Sequence, residues 1–179
     1  LYTLENSGKG DALRFGIKKS KGDIVVFFPS DDEYNINDIN KSIIPILNNQ
    51  TEVVFGSRLI KCINLSDQIK KIYKNNYLDF IISKYGGYIL SILCLIFFNK
   101  YITDPLTSIK AFKADTIKNL KLESKGFEIE LEIIAKLSKI KTYIFELPVN
   151  FLPRSKEHGK KITFLDGMKS IWIIIKNGF

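Results

Sequence analysis

The sequence predicts an α/β protein whose sheet is mostly parallel and flanked by helices. Three observations carry that expectation. The runs "GDIVVFF" and "EVVFGS" are short, apolar and rich in β-branched and aromatic residues, so they read as strands buried on both faces. The stretch between them has the apolar spacing of a helix. Strand, helix and strand therefore follow one another at α/β spacing. With 179 residues, 45% hydrophobic and 26% charged, the chain suits one domain with a real core, and disorder is excluded.

The elements follow in order. "GKGDALRFGIKKS", from Gly8 to Ser20, is a glycine turn feeding a helix whose apolar face is drawn from Ala12, Leu13, Phe15 and Ile17. After the first strand, "INDINKSIIPILNN" is a helix capped near Asn37 or Asp38, with Pro45 kinking it or opening its last turn. From Asp67 to Asn99 the chain is helical in character. Its run "YILSILCLIFF" spans only about 16 Å as a helix against a membrane core of about 30 Å, so it reads as a buried helix or one lying in the membrane interface. "SIKAFKA" is a strand. "GFEIELEIIAKLSKI" is a helix with Ile129, Ile133, Ile134 and Leu137 inward, Glu130 on a solvated face and Glu128 either there or in a cleft. "TYIFELPVNFLP" is the last strand, "RSKEHGKK" a basic loop and "FLDGMKSIWIIIK" a closing amphipathic helix. No repeat or low-complexity linker interrupts the chain.

The net charge of +8 points either to anionic partners or to a lysine-rich surface. Nucleic acid fits poorly, because the aromatics lie in apolar runs rather than beside lysines as stacking platforms. Cys62 and Cys94 form no metal-ligand pattern, and a reduced, cytoplasmic setting fits them. Leu1 opens the chain with no charged-then-apolar leader after it, so the expectation is a fragment that starts within a domain.

The acids in "FFPSDDEY" sit where the first strand ends, the edge at which open α/β sheets bind ligands. In an extended segment Asp31 and Glu33 face one way and Asp32 the other. Two carboxylates on one side suit Mg²⁺ or Mn²⁺ completed by water and phosphate oxygens, while a solvated turn ahead of a helix explains them equally well. "GKG" is not a phosphate-binding P-loop, lacking the earlier glycine and the Ser or Thr after lysine. Arg154, Ser155, Lys156, Lys160 and Lys161 around Gly159 suit a pyrophosphate or a charged surface loop. His158 reads as an ordinary surface residue. Asp104 in "TDP" is either a turn opener or an acid that the preceding helix delivers to the site.

Taken in order, "GKGDALRFGIKKSKGDIVVFFPSDDEY", "VVFGSR", "ITDPLTSIKAF", "KGFEIELEI", "ELPVNFLPRSKEHGKKI" and "DGMKSI" resemble family 2 glycosyltransferases of the dolichyl-phosphate mannose synthase type. The resemblance implies a GT-A fold, Rossmann-like, spanning 1–179 as a single partial domain without its first nucleotide-binding strands. It implies inverting transfer of a sugar from a nucleotide-diphosphate sugar to a polyprenyl phosphate, with Mg²⁺ or Mn²⁺, at the cytoplasmic face of the membrane and in peripheral contact with it. By motif, Asp31 matches the last acid of the metal-binding Asp-x-Asp, and Glu33 a polar position that also reaches the metal. Ser57 and Arg58 of "GSR", and Arg154 with Ser155, match positions that contact substrate phosphates. Asp104 matches an acid near the transfer site, and Lys160 lies in a loop that closes over the donor. Pro29 stands where the family often has the first Asp, which removes one acidic ligand. "TSIKAF" carries Ser108 and Ile109 where a Thr-Gly-Phe-like turn is usual. Rival expectations are a sugar acceptor in polysaccharide or glycolipid assembly, and a non-catalytic remnant of the fold.

Overall fold

The computed structural model describes residues 8–60, 77–152 and 164–178. Helix α1 (Lys9–Lys19) leads to strand β1 (Ile24–Phe27), then α2 (Asn37–Leu47) and β2 (Val53–Ser57). The long helix α3 (Tyr77–Phe98) precedes β3 (Lys110–Lys113) and the short α4 (Ala114–Asn119). Helix α5 (Ile129–Lys139), strand β4 (Ile144–Pro148) and helix α6 (Phe164–Gly178) complete the described order.

The strands lie side by side as β1-β3-β2-β4. β2 and β4 are parallel, and β3 runs antiparallel between β1 and β2. Three of the four strands thus share one direction, and the sheet is mixed. β3 is reversed because the chain enters it from the edge where β1 and β2 end: Lys110, its first residue, is opposite Phe27 and Phe55. The C-terminal ends of β1, β2 and β4 and the start of β3 therefore share one edge of the sheet.

Most of the core lies where α3, α5 and α6 cover the sheet, and a smaller cluster around Ile46, Val54, Ala111 and Leu147 includes α2. β2 is buried at every position, as an unbroken apolar strand should be. On α5 the inward set Ile129, Ile133, Ile134 and Leu137 is fully buried. On α1, Leu13 and Ile17 join the core but Ala12 is exposed, because the helix turns that position away from the sheet. α2 takes its cap from Asn35, whose Oδ1 accepts the Asn37 N–H at 2.9 Å. Asp38 points inward instead, accepting the Asn150 N–H at 2.8 Å and an ion pair from Lys41.

The glycines of "GKG" serve a close approach. Gly8 has φ 110°, in the region that favours glycine. A Cβ on Gly10 would stand 2.2 Å from the Ser124 carbonyl oxygen, and the Gly10 N–H donates to the Lys125 carbonyl at 2.7 Å.

Glu130 corrects the expectation of a solvated α5 face. It is 2% exposed and pairs at 2.5 Å with both Lys110 and Lys9. Lys110 is itself fully buried. Burial pushes the Glu130 carboxyl up, but the two ammonium groups outweigh it and hold the group below its ordinary value. Removing one member of such a group strands a buried charge. Glu130→Gln is therefore expected to lower unfolding stability by about 3 kcal/mol, whereas replacing Glu130 and Lys110 together by Leu and Met restores most of it. Urea denaturation of the three proteins checks this.

Candidate functional site

The site is assembled at the shared sheet edge from three chain segments that close around a fourth, the Thr103–Asp104 stretch ahead of β3. The first is the loop after β1. Pro29 leads into a bend in which Asp32 adopts φ 59° and is exposed, while Asp31 and Glu33 are half-buried. The Glu33 N–H donates to Asp31 Oδ1 at 3.3 Å. The backbone turns here, so the separation of Asp32 from its neighbours comes from a left-handed residue and not from extended alternation.

The second segment is the end of β2. Arg58 closes a forked pair on Asp104, with Nε to Oδ2 and one terminal nitrogen to Oδ1, both at 2.6 Å. Its backbone N–H adds a third contact to Oδ2 at 3.1 Å. Two parallel charge-assisted bonds fix the guanidinium in orientation as well as position. Asp104 is 3% exposed, whereas Arg58 keeps about a quarter of its side chain open to solvent. Burial pushes the Asp104 carboxyl up, but Arg58 overrides this and holds it below the usual carboxylate range. Burial likewise lowers Arg58, and Asp104, Tyr34 and Glu33 together raise it. The charge of Glu33 thus reaches the guanidinium from the acidic loop. Ser57 is spent inside the fold: its Oγ lies 2.7 Å from Thr103 Oγ1.

The third segment is β4 and the residues after it. Glu146 accepts the Thr103 N–H at 2.9 Å, the Thr103 hydroxyl at 2.8 Å and the Asp104 N–H at 3.3 Å. One carboxylate therefore pins the backbone that carries Asp104. Beyond β4, the Leu152 N–H donates to the Glu33 carbonyl at 2.8 Å, and Tyr34 bridges to Phe151. The Phe151 ring packs 5.1 Å from that of Tyr34 and 5.0 Å from the Arg58 guanidinium carbon. Burial pushes the Tyr34 hydroxyl above its ordinary value.

Beneath the site, the loop between Asp104 and β3 is held from the core side. Lys110 donates to the Thr107 carbonyl, and Lys9 to Ser108 Oγ at 3.2 Å.

Of the residues singled out by sequence, Asp31, Glu33, Ser57, Arg58 and Asp104 meet at this edge. Arg154, Ser155, Lys160 and His158 lie outside the described residues. Asp104, read as an acid beside the transfer site, has both oxygens engaged by Arg58. Sequence reasoning passed over Glu146, Tyr34 and Phe151. Glu146 had a legible signal, a lone charge inside the apolar strand "YIFELPV". Among the described residues no group of three or more His, Cys, Asp or Glu side chains forms a metal site. A hard divalent cation here would rest on Asp31 and Glu33, with water and substrate oxygens filling its shell, a mode that Mg²⁺ accepts readily.

Comparison with known proteins gives a consistent picture. Residues 1–101 match the model of glycosyl transferase family 2. The UDP-N-acetylglucosamine–dolichyl-phosphate N-acetylglucosaminyltransferase of Methanococcus voltae is 28% identical over 176 residues, covering 96% of this chain and 66% of that protein. A low-salt glycan biosynthesis hexosyltransferase of Haloferax volcanii is 20% identical, over 97% of this chain and 39% of its own length. Among solved structures, glucosyl-3-phosphoglycerate synthase of Mycobacterium tuberculosis, crystallised with Mn²⁺, UDP-glucose and phosphoglyceric acid, superposes with a TM-score of 0.61 at 14% identity. It is covered over 56% of its length by 98% of this chain. The chain spans just under two thirds of the first of these relatives, and the structural likeness establishes the GT-A fold.

Proposed function

Given that the chain belongs to glycosyl transferase family 2, we propose that it transfers a sugar, with inversion, from a nucleotide-diphosphate sugar to a polyprenyl phosphate at the cytoplasmic face of the membrane. The observation that carries this reading is the meeting of the acidic loop with Arg58 at one sheet edge, where Phe151 packs against both Tyr34 and the guanidinium that Asp104 holds. The dolichyl-phosphate substrate in the name of the Methanococcus voltae relative supports the acceptor class.

Asp31 and Glu33 would hold a divalent cation such as Mg²⁺ or Mn²⁺, which when bound neutralises charge on the leaving diphosphate. Arg58 presents a fixed guanidinium, pre-oriented by Asp104, to a phosphate of donor or acceptor. Asp104 acts as a positioning residue, since both its oxygens are engaged. Arg154, Ser155 and Lys160 follow closely on Leu152 in the sequence, and two cations with a hydroxyl suit the donor diphosphate. A phosphate acceptor is already anionic near neutral pH, so the transfer needs no strong general base.

The test is incubation of the protein with membranes and a radiolabelled nucleotide-sugar. Label is expected in the lipid extract, released as free sugar by mild acid. Label confined to water-soluble glycan would reject the polyprenyl acceptor.

A further inference from the structure

We propose that α3 and α6 form one docking surface for a bilayer containing anionic lipid, and that this surface sets the active-site edge at the level of the headgroups. The inference rests on the proposed lipid-linked acceptor and assigns the surface by which the protein reaches it.

α3 has two unlike faces. Leu90, Ser91, Cys94 and Phe98 are buried, and Ser91 Oγ reaches the Thr103 carbonyl at 3.4 Å. This face supports the loop that carries Asp104. On the opposite face Tyr88, Ile89, Ile92 and Ile96 are between 48% and 67% exposed. Their spacing places them on one stripe. α6 packs beside α3, with Gly178 against the Phe97 ring. It leaves Met168 and Trp172 exposed at 52% and 63%, one turn apart. Large apolar side chains left in water on two adjacent helices mark an interaction surface.

Charge selects the occupant. Residues 85–102 and 167–178 contain no Asp or Glu, whereas Lys100, Lys169 and Lys176 flank the stripes. Aromatic and aliphatic side chains beside which three lysines outnumber the one nearby acid, Asp166, match the boundary between headgroups and acyl chains of an anionic leaflet. Among the described residues no helix is long and apolar enough to cross a membrane, so the surface would lie on the bilayer. A helix is about 10 Å across. With one face at the acyl-chain boundary and the other on the Thr103 loop, α3 would hold Asp104 and Arg58 about that distance above the boundary, at the level of the headgroups.

Trp172 is the only tryptophan in the sequence, so its fluorescence reports the contact directly. Vesicles of phosphatidylcholine with phosphatidylglycerol are expected to shift its emission to the blue and to sediment the protein. Ile92→Glu with Ile96→Glu, and separately Met168→Glu, should each lower partition at least tenfold. Lys169→Gln with Lys176→Gln should lower it roughly 25-fold, about fivefold per lysine. All three variants add or remove charge only at exposed positions. With a short-chain, water-soluble polyprenyl phosphate they should transfer sugar at the wild-type rate. Unchanged Trp172 emission with vesicles would overturn the proposal. So would equal binding to purely neutral vesicles, or an emission shift driven by protein concentration alone, which would assign the surface to a second copy. Vesicle binding without sugar transfer to any lipid acceptor would leave the docking surface standing and reject the function proposed above.

Discussion

Asp31→Asn is expected to reduce sugar transfer about a thousandfold while leaving the fold intact. Asparagine keeps an oxygen that can accept the Glu33 N–H now held by Asp31 Oδ1, so the bend after β1 survives. What disappears is a negative charge. With Pro29 in place of another acid, the loop before Asp31 supplies no second carboxylate, and Glu33 alone cannot compensate. A catalytic contribution of two to three powers of ten is typical for a preorganised group that stabilises developing charge. Steady-state transfer assays across a Mn²⁺ series check this: kcat should fall and the metal concentration for half-maximal rate should rise. Wild-type turnover in Asp31→Asn would reject Asp31 as a metal ligand.

Asp104→Asn is expected to be damaging in a different way. It takes the charge partner from a guanidinium that remains largely enclosed. Loss of one partner from a buried pair costs about 3–5 kcal/mol, and because Arg58 keeps about a quarter of its side chain exposed the expected loss is smaller than that, about 2–3 kcal/mol. Transfer should fall at least a hundredfold, because Arg58 is no longer aimed. Arg58→Lys should lose activity comparably while keeping most of the stability, since lysine retains the charge but cannot fork. The pH dependence has a definite sign. The Asp104 carboxyl is held below its unfolded value, so between the two values the unfolded chain binds more protons and stability rises with pH. The pair's contribution is complete above the ordinary carboxylate range, about pH 4 to 5, and is lost as pH falls through the depressed native value. The stability gap between wild type and Asp104→Asn should therefore be constant near neutrality and close in acid. A gap that widened as pH fell would contradict the pairing.

The strands were legible because each is a short apolar run bounded by polar or glycine residues, and the helices because their apolar spacing persists over several turns. α4 escaped notice: "ADTIKN" is too short for a periodicity to register, and its helix is set by packing beside β3. The burial of Glu130 was written in the same spacing that placed Ile134 and Leu137 inward, since all three share a helical face. Composition argued for a solvated acid, and the partners that made burial possible, Lys9 and Lys110, are remote in sequence. The Arg58–Asp104 pair spans 46 residues, a separation on which no local spacing reports. The motif resemblance brought both residues forward singly, and only the fold joined them.

The reversed strand β3 also dictates when the site comes into being. β1 precedes its partner in the described sheet by more than eighty residues. β2 likewise borders β3 on one side and the still later β4 on the other. Pairings of such long range make folding slow, because chain closure must precede any gain from the contact. During synthesis the acidic loop therefore leaves the ribosome well before β3 and β4 exist to fix its surroundings. The surroundings of Asp31 and Arg58 are complete only when β4, the last of the described strands, docks, so a nascent chain interrupted before that point is expected to lack the proposed cation and donor sites.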